Sequence, residues 1–260
     1  MKISTRLLGE GRGKILGAFY MMSFIIMLPF GLVAQDISPL ESNSRFNFGF
    51  KFGTSINKFS NQQPHTSVNQ GLVAGGFLSY NFNTGKSFQL GAQLEAMYLQ
   101  QGGNLINFYD PASFGLQDAS VWKLKVNEEN VRLHNLEVPL LMKGMFNLGA
   151  NRLSLVVGPS VSYNFNAGID REVSAIPTEV DIITFSDEEN ISGKIEDFSY
   201  GITSGIGFEI PISPKNYLLI DARYRYSLTS VYNGYSYIRN PKVQGDLKSH
   251  SMYFTIGFGF

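Results

Sequence analysis

With 21 Lys and Arg against 21 Asp and Glu in 260 residues, the chain has no net charge and no basic field to draw in nucleic acid. Cysteine is absent, which excludes a disulfide framework, a thiolate metal site and a thiol nucleophile. Sparse charge (16%), 27 Gly, 21 Phe and 13 Tyr suit a β-rich, glycine-punctuated chain better than a helical enzyme.

Lys2, Arg6, Arg12 and Lys14 precede an apolar run from Ile15 to Val33, and Ala34-Gln35 offers a small-residue exit. This pattern predicts a secretory signal peptide over residues 1–35, cleaved near Ala34/Gln35 and exported through the Sec pathway. The run is nearly long enough to anchor the chain, but Pro29 and Gly31 interrupt it and no basic stop-transfer follows. Cleavage removes four basic residues and one acid, leaving 17 Lys and Arg against 20 Asp and Glu. Residues 36–44 read as a polar lead-in, and residues 45–260 as one domain.

Eight segments of that domain alternate with a period of two, the mark of strands with one apolar face. Arg45–Asn57 is the first, with Phe46, Phe48, Phe50, Phe52 and Ile56. Gly71–Phe82, Phe88–Gln100, His134–Leu148, Leu153–Phe165, Phe198–Ile210 and Tyr217–Leu228 follow. Ser249–Phe260 is the last and clearest, with Met252, Phe254, Ile256, Phe258 and Phe260 on one face and small or polar residues on the other. A strand whose apolar face is covered by lipid, and whose free edge is taken by the first strand, fits this ending.

The connections alternate too. Asn83–Ser87, Gly149–Arg152 and Pro211–Asn216 are short, while Lys58–Gln70, Gln101–Leu133, Asn166–Asp197 and Thr229–Lys248 are long. The fold class predicted is all-β: an eight-stranded antiparallel up-and-down transmembrane β-barrel, with short periplasmic turns and long extracellular loops. Segments of about 12 residues slightly exceed the roughly 9–11 that a tilted strand needs to cross. Aromatics gather near segment ends and Leu, Val, Ile and Ala in the middles, as in two girdles bounding a hydrocarbon band. Phe50 and Phe52 depart from this, and Pro139 and Pro159 each remove a ladder donor, so bulges are expected there.

The opposite faces carry Lys51, Glu95, Glu137, Lys143, Glu209, Asp221, Arg223 and Arg225, interspersed with glycines that leave room for long side chains. An eight-strand barrel is just wide enough for side chains to fill. These residues are therefore expected to form a paired, packed interior charge cluster. Lys51, Glu95, Lys143, Asp221, Arg223 and Arg225 fall at similar heights by counting, with Glu209 near the lower rim.

Eight strands, a leader ending in Ala-Gln and the stretch Leu136-Glu137-Val138-Pro139-Leu140-Leu141-Met142-Lys143-Gly144 resemble the PorT-like small outer-membrane barrels of Bacteroidota. In overall form these are akin to OmpA- and OmpX-type barrels. The resemblance covers about residues 45–260 and implies an outer-membrane location. It carries no catalytic residues over, and some members are similar to a secretion-system component.

Candidate chemistry is thin. His134 and His250 lie near the outer ends of strands four and eight, and His65 lies in a loop; a barrel-borne hydrolase or acyltransferase would need such a His with Ser or Asp at the rim. Residues 166–197 hold nine acids against Arg171 and Lys194, which reads as a solvated acidic loop or as a divalent-cation site without EF-hand spacing. Trp122, Tyr232, Tyr235 and Tyr237 are loop aromatics that suit a partner protein or glycan, and equally suit capping the barrel mouth.

The function expected is a non-enzymatic integral outer-membrane barrel without cofactor or metal, with a structural or binding role. Its expected partners are outer-membrane lipid, the barrel-assembly machinery through the C-terminal strand 249–260, and an extracellular or envelope protein. The rivals are a barrel enzyme at the outer rim and a secreted lipocalin-like barrel, the latter with apolar residues inside and charges outside.

Overall fold

The alternating segments pair edge to edge until the first meets the last. The computed structural model describes residues 45–60, 66–82, 87–107, 122–177, 183–231 and 248–260. Its strands are β1 (Phe46–Ser60), β2 (Thr66–Ser67), β3 (Asn69–Asn81), β4 (Phe88–Asn107), β5 (Trp122–Leu148), β6 (Asn151–Pro177), β7 (Ile183–Asn190), β8 (Phe198–Pro211), β9 (Tyr217–Ser227) and β10 (Lys248–Gly259). Eight of them form a closed antiparallel ring in the order β1-β3-β4-β5-β6-β8-β9-β10 and back to β1. Phe48 and Phe260 exchange backbone hydrogen bonds of 3.2 and 2.8 Å at the seam. Closure leaves the eight-strand ring without a free edge strand, which lipid demands of any sheet. The short β2 and β7 lie off the ring against β4 and β6.

Sidedness follows the period-two pattern. Leu94, Val138, Leu140, Ile202 and Ile206 lie exposed on the outer wall, while Glu95, Glu137 and Arg223 are buried inside. This is the inverse of a lipocalin-like barrel. Two aromatic belts bound the exposed apolar band. The lower belt includes Phe46 on Tyr80 (ring centroids 4.8 Å), Phe48 on Phe260 (5.3 Å) and Phe88 on Phe146 (5.0 Å). The upper includes Tyr98, His134 and Phe165, Tyr163 on Phe198 (5.2 Å), and Tyr224, Tyr226 and His250. Phe88 and Tyr98 are ten residues apart on β4, about 33 Å along a strand. At a tilt near 40° that is about 25 Å of height, the usual apolar band of such barrels. Phe50 joins the lower belt, its ring 6.3 Å from Phe258.

Three expectations need correction. Strands β5 and β6 run 27 residues each, so much of what reads as loop in 101–133 and 166–197 is paired strand. The acidic stretch is a β6–β7 hairpin, with Asp170 opposite Glu188 and Arg171 opposite Asp187. Beyond the upper belt, from His134 to Trp122, β5 continues for about 40 Å along the strand. The outward face need not be apolar there, and the apolar residues of this part, Val131 and Leu133 on β5 and Ala167 and Ile169 on β6, point inward, so the outward apolar run that betrays a membrane strand ends.

The bulges also fall elsewhere. Pairing of β4 with β5 keeps one offset from Leu94↔Leu140 to Met97↔Glu137, straight past Pro139. Pairing of β6 with β8 is likewise unbroken at Pro159. A proline removes one donor but inserts no residue, so it need not shift register. The shifts lie between Lys125 and Glu128 and between His134 and Asn135. At the second, β6 gains a residue: His134 faces Asn166 and Asn135 faces Asn164. The inward parity of β6 flips there, which turns Ala167 and Ile169 into the interior. Finally, Arg152 and Pro211 belong to strands, leaving Gly149 and Ala150 as a two-residue turn between β5 and β6. Gly149 has φ 66°, a left-handed conformation that favours glycine.

Candidate functional site

The interior is a stack of layers. At the short-turn end, Phe77, Tyr217 and Leu219 pack together. Glycine makes room for them: a Cβ on Gly49 would enter the Phe77 ring, and one on Gly259 the Tyr217 ring. At the outer end, Phe59, Val131, Leu133, Ala167, Ile169, Ile191, Ile195 and Val231 form an apolar cap. Val73, Met97, Leu99 and Tyr253 lie beneath it.

The ionised side chains occupy the space between and form three groups. Lys51 Nζ lies 2.9 Å from Glu95 Oε2 and 3.1 Å from Asp221 Oδ2. Arg223 Nη2 reaches the same two carboxylates, at 3.2 and 2.9 Å. Nearer the short turns, Lys143 Nζ donates to Glu209 Oε1 at 2.7 Å, and Arg152 Nε lies 3.3 Å from Glu209 Oε2. Nearer the outer end, Arg225 Nε lies 3.5 Å from Glu137 Oε1, which also accepts from the Thr203 hydroxyl at 3.0 Å. Arg225 Nη2 donates to Ser199 Oγ at 3.0 Å.

All eight anticipated residues are inside and buried. They pair in three groups and not as one: Lys143 with Glu209, Arg225 with Glu137, and Lys51 and Arg223 with Glu95 and Asp221. Tilt and shear decide this, and position along a strand does not reveal either. Arg152 is a ninth member. Its even number matches the inward face of β6, but it stands directly after the turn, where the alternation had not begun. It lies across from Glu209 and 5.9 Å from the Tyr217 ring.

Cross-strand neighbours explain how long charged side chains fit. Lys51 is flanked by Gly75 and Gly257, Lys143 by Gly91, Asp221 by Gly207 and Arg223 by Gly205. A Cβ on Gly257 would lie 2.8 Å from Lys51 Cβ. Each of these four charges thus has a vacant neighbour position through which it reaches its partner. Pairing offsets the several kcal/mol that burial costs each ion. The result is a core whose described charges are buried and engaged with one another.

His134 and His250 each meet a tyrosine hydroxyl. His134 Nδ1 lies 2.7 Å from the Tyr98 hydroxyl and His250 Nδ1 3.2 Å from that of Tyr224, both on the outer wall. No Ser, Asp or Glu side chain joins either among the described residues. Trp122 begins β5 opposite Pro177. His65, Tyr232, Tyr235 and Tyr237 lie outside the described residues, as do residues 1–44 with the leader and lead-in. Among the described residues no group of three or more His, Asp or Glu gathers as a metal site.

A family model described as outer membrane protein beta-barrel domain matches residues 33–233. Solved structures similar in fold include Ail, the attachment invasion locus protein of Yersinia pestis (10% identity over 84% of this chain and 100% of that one, TM-score 0.34). Neisserial surface protein A (12%, 82% and 96%, TM-score 0.37) and OprG from Pseudomonas aeruginosa (12%, 86% and 98%, TM-score 0.39) are others. No curated protein matches the sequence at a significant level. With its closed eight-strand ring, lipid-facing apolar wall and matched domain, the chain belongs to the outer membrane protein beta-barrel domain family and is a protein of the outer membrane.

Proposed function

We propose that this is a non-enzymatic integral barrel that serves the cell envelope as a structural or binding body. Its working surface is the sheet that β4, β5, β6 and β7 raise past the outer belt. One observation carries this reading: among the described residues the interior charges are buried and paired with one another between two apolar layers, which speaks for a packed body rather than an open site or channel. What remains for interaction is the extension, in which β5 begins at Trp122.

The finer parts of the proposal rest on sequence. Residues 136–144 and the leader support kinship with PorT-like barrels, and with it an association with a secretion system. The leader supports Sec export with cleavage near Ala34/Gln35. The C-terminal strand, ending in Phe258 and Phe260, supports recognition by the barrel-assembly machinery. The partner of the extension is an extracellular or envelope protein.

An epitope inserted within residues 178–182, between β6 and β7, tests the reading. On intact cells an antibody should bind it, and the purified barrel should give no steady conductance in a planar bilayer. Binding only after the outer membrane is broken, or stable open channels, would overturn the proposal.

A further inference from the structure

The upper belt is not uniform around the wall. Over β1, β10 and β9 it carries cations. Lys58 stands directly opposite His250 in the β1–β10 register, and His250 directly opposite Tyr226 in the β10–β9 register. Lys248 lies two residues further out on the same face of β10. Lys58, Tyr224 and Tyr226 are exposed on the lipid side, and Lys248 and His250 half-buried there. Directly opposite residues hold their Cβ atoms about 5 Å apart, so the two lysines and the histidine converge on one small area.

Three features make this an unfinished anion site rather than a solvated rim. First, the described strands that carry it supply no counter-charge on that wall. Strands β1, β3 and β10 contain no Asp or Glu, and the one acid of β9, Asp221, is buried inside on Lys51 and Arg223. Second, it is oriented. The His250 ring lies 4.8 Å from Tyr226 and stacks 6.3 Å from Tyr224, whose hydroxyl is 3.2 Å from Nδ1. That fixes the ring and leaves Nε2 without a partner among the described residues. Third, it sits at headgroup level. Met252 and Ile56 lie just below it on the same wall, exposed to the acyl region. Fixed cations and hydroxyls above an apolar wall match an amphiphile with a phosphorylated head.

We propose that Lys58, Lys248 and His250, with the Tyr224 and Tyr226 hydroxyls, bind a phosphate of an outer-leaflet glycolipid, the acyl chains lying along Ile56 and Met252. The described part of the lower belt differs: it is mostly Phe, and its ring contacts are aromatic on aromatic. The proposal needs only the outer-membrane placement and is independent of the role given to the extension.

Full-length protein in detergent, titrated with phosphorylated lipid A and followed by native mass spectrometry, tests it. The expected result is retention of lipid A, at least tenfold weaker for the dephosphorylated form and for Lys58→Ala/Lys248→Ala, which should keep its heat-shifted gel migration. Equal retention of both lipid forms by wild type would overturn the proposal, whether or not the variant folds. So would a folded double variant that binds as wild type does. Inorganic phosphate alone should not bind measurably at millimolar concentration; binding as tight as lipid A would assign the site to free phosphate instead.

Discussion

Lys51 and Glu95 meet at 2.9 Å although β3 separates their strands in the wall. The contact crosses the lumen, and both cross-strand neighbours of Lys51, Gly75 and Gly257, lack a side chain. Asp221 and Arg223 complete a four-membered network with two charges of each sign. Breaking a buried pair by removing one partner costs about 3–5 kcal/mol, because the other charge is left buried and uncompensated. Lys51→Met and Glu95→Gln should each lower stability by about that amount in urea unfolding from lipid vesicles. The double variant should lose clearly less than the sum, since Arg223 and Asp221 then remain as a balanced pair. Additive losses would mean that the two residues are not coupled.

Leu94 lies on the lipid side at mid-depth, next to the buried Glu95. Leu94→Arg places a cation in the hydrocarbon and should cost about 2–4 kcal/mol, read from the same unfolding experiment. Assembly and stability equal to wild type would contradict the assignment of that face.

Gly205 gives Arg223 its path, since a Cβ there would enter the Arg223 side chain. Gly205→Val should destabilise by about 1–3 kcal/mol through overpacking. Gly144 is the control: on the lipid face its nearest neighbour would be the Phe88 ring at 3.4 Å, so Gly144→Ala should stay near wild type.

How far the sequence could be read depended on whether a physical constraint acted at each position. Between the belts every residue faces either lipid or lumen, so parity alone places Leu94 outside and Glu95, Glu137 and Arg223 inside. Beyond His134 no lipid enforces an outward apolar face: Trp122, Leu124 and Val126, then Val131 and Leu133, still alternate with polar residues, but the register shift between Lys125 and Glu128 changes their parity and breaks the run. Arg152 escaped because one residue after a turn is too short a run to show a period. Pairing partners escaped for another reason: Lys143 and Glu209 come together through strand tilt, which is a property of the closed ring and not of any segment. Pro139 and Pro159 pointed to bulges, but the inserted residue sits at the outer belt, in Asn164–Asn166, where no proline marks it.

Strand β7 pairs with β6 alone and takes no part in the ring. Replacing residues 178–190 by a short linker should therefore leave a barrel that still shows heat-shifted gel migration. Loss of that shift would mean that the outer hairpin is required for closure.

The sidedness of the wall is the claim on which the rest stands, and the absence of cysteine makes it directly measurable. A fluorophore on Leu94→Cys should be quenched strongly by lipids brominated along the acyl chain, and one on Gln93→Cys, buried in the lumen, should not. Quenching at position 93 with protection at 94 would reverse the inside and outside of the barrel and contradict the account.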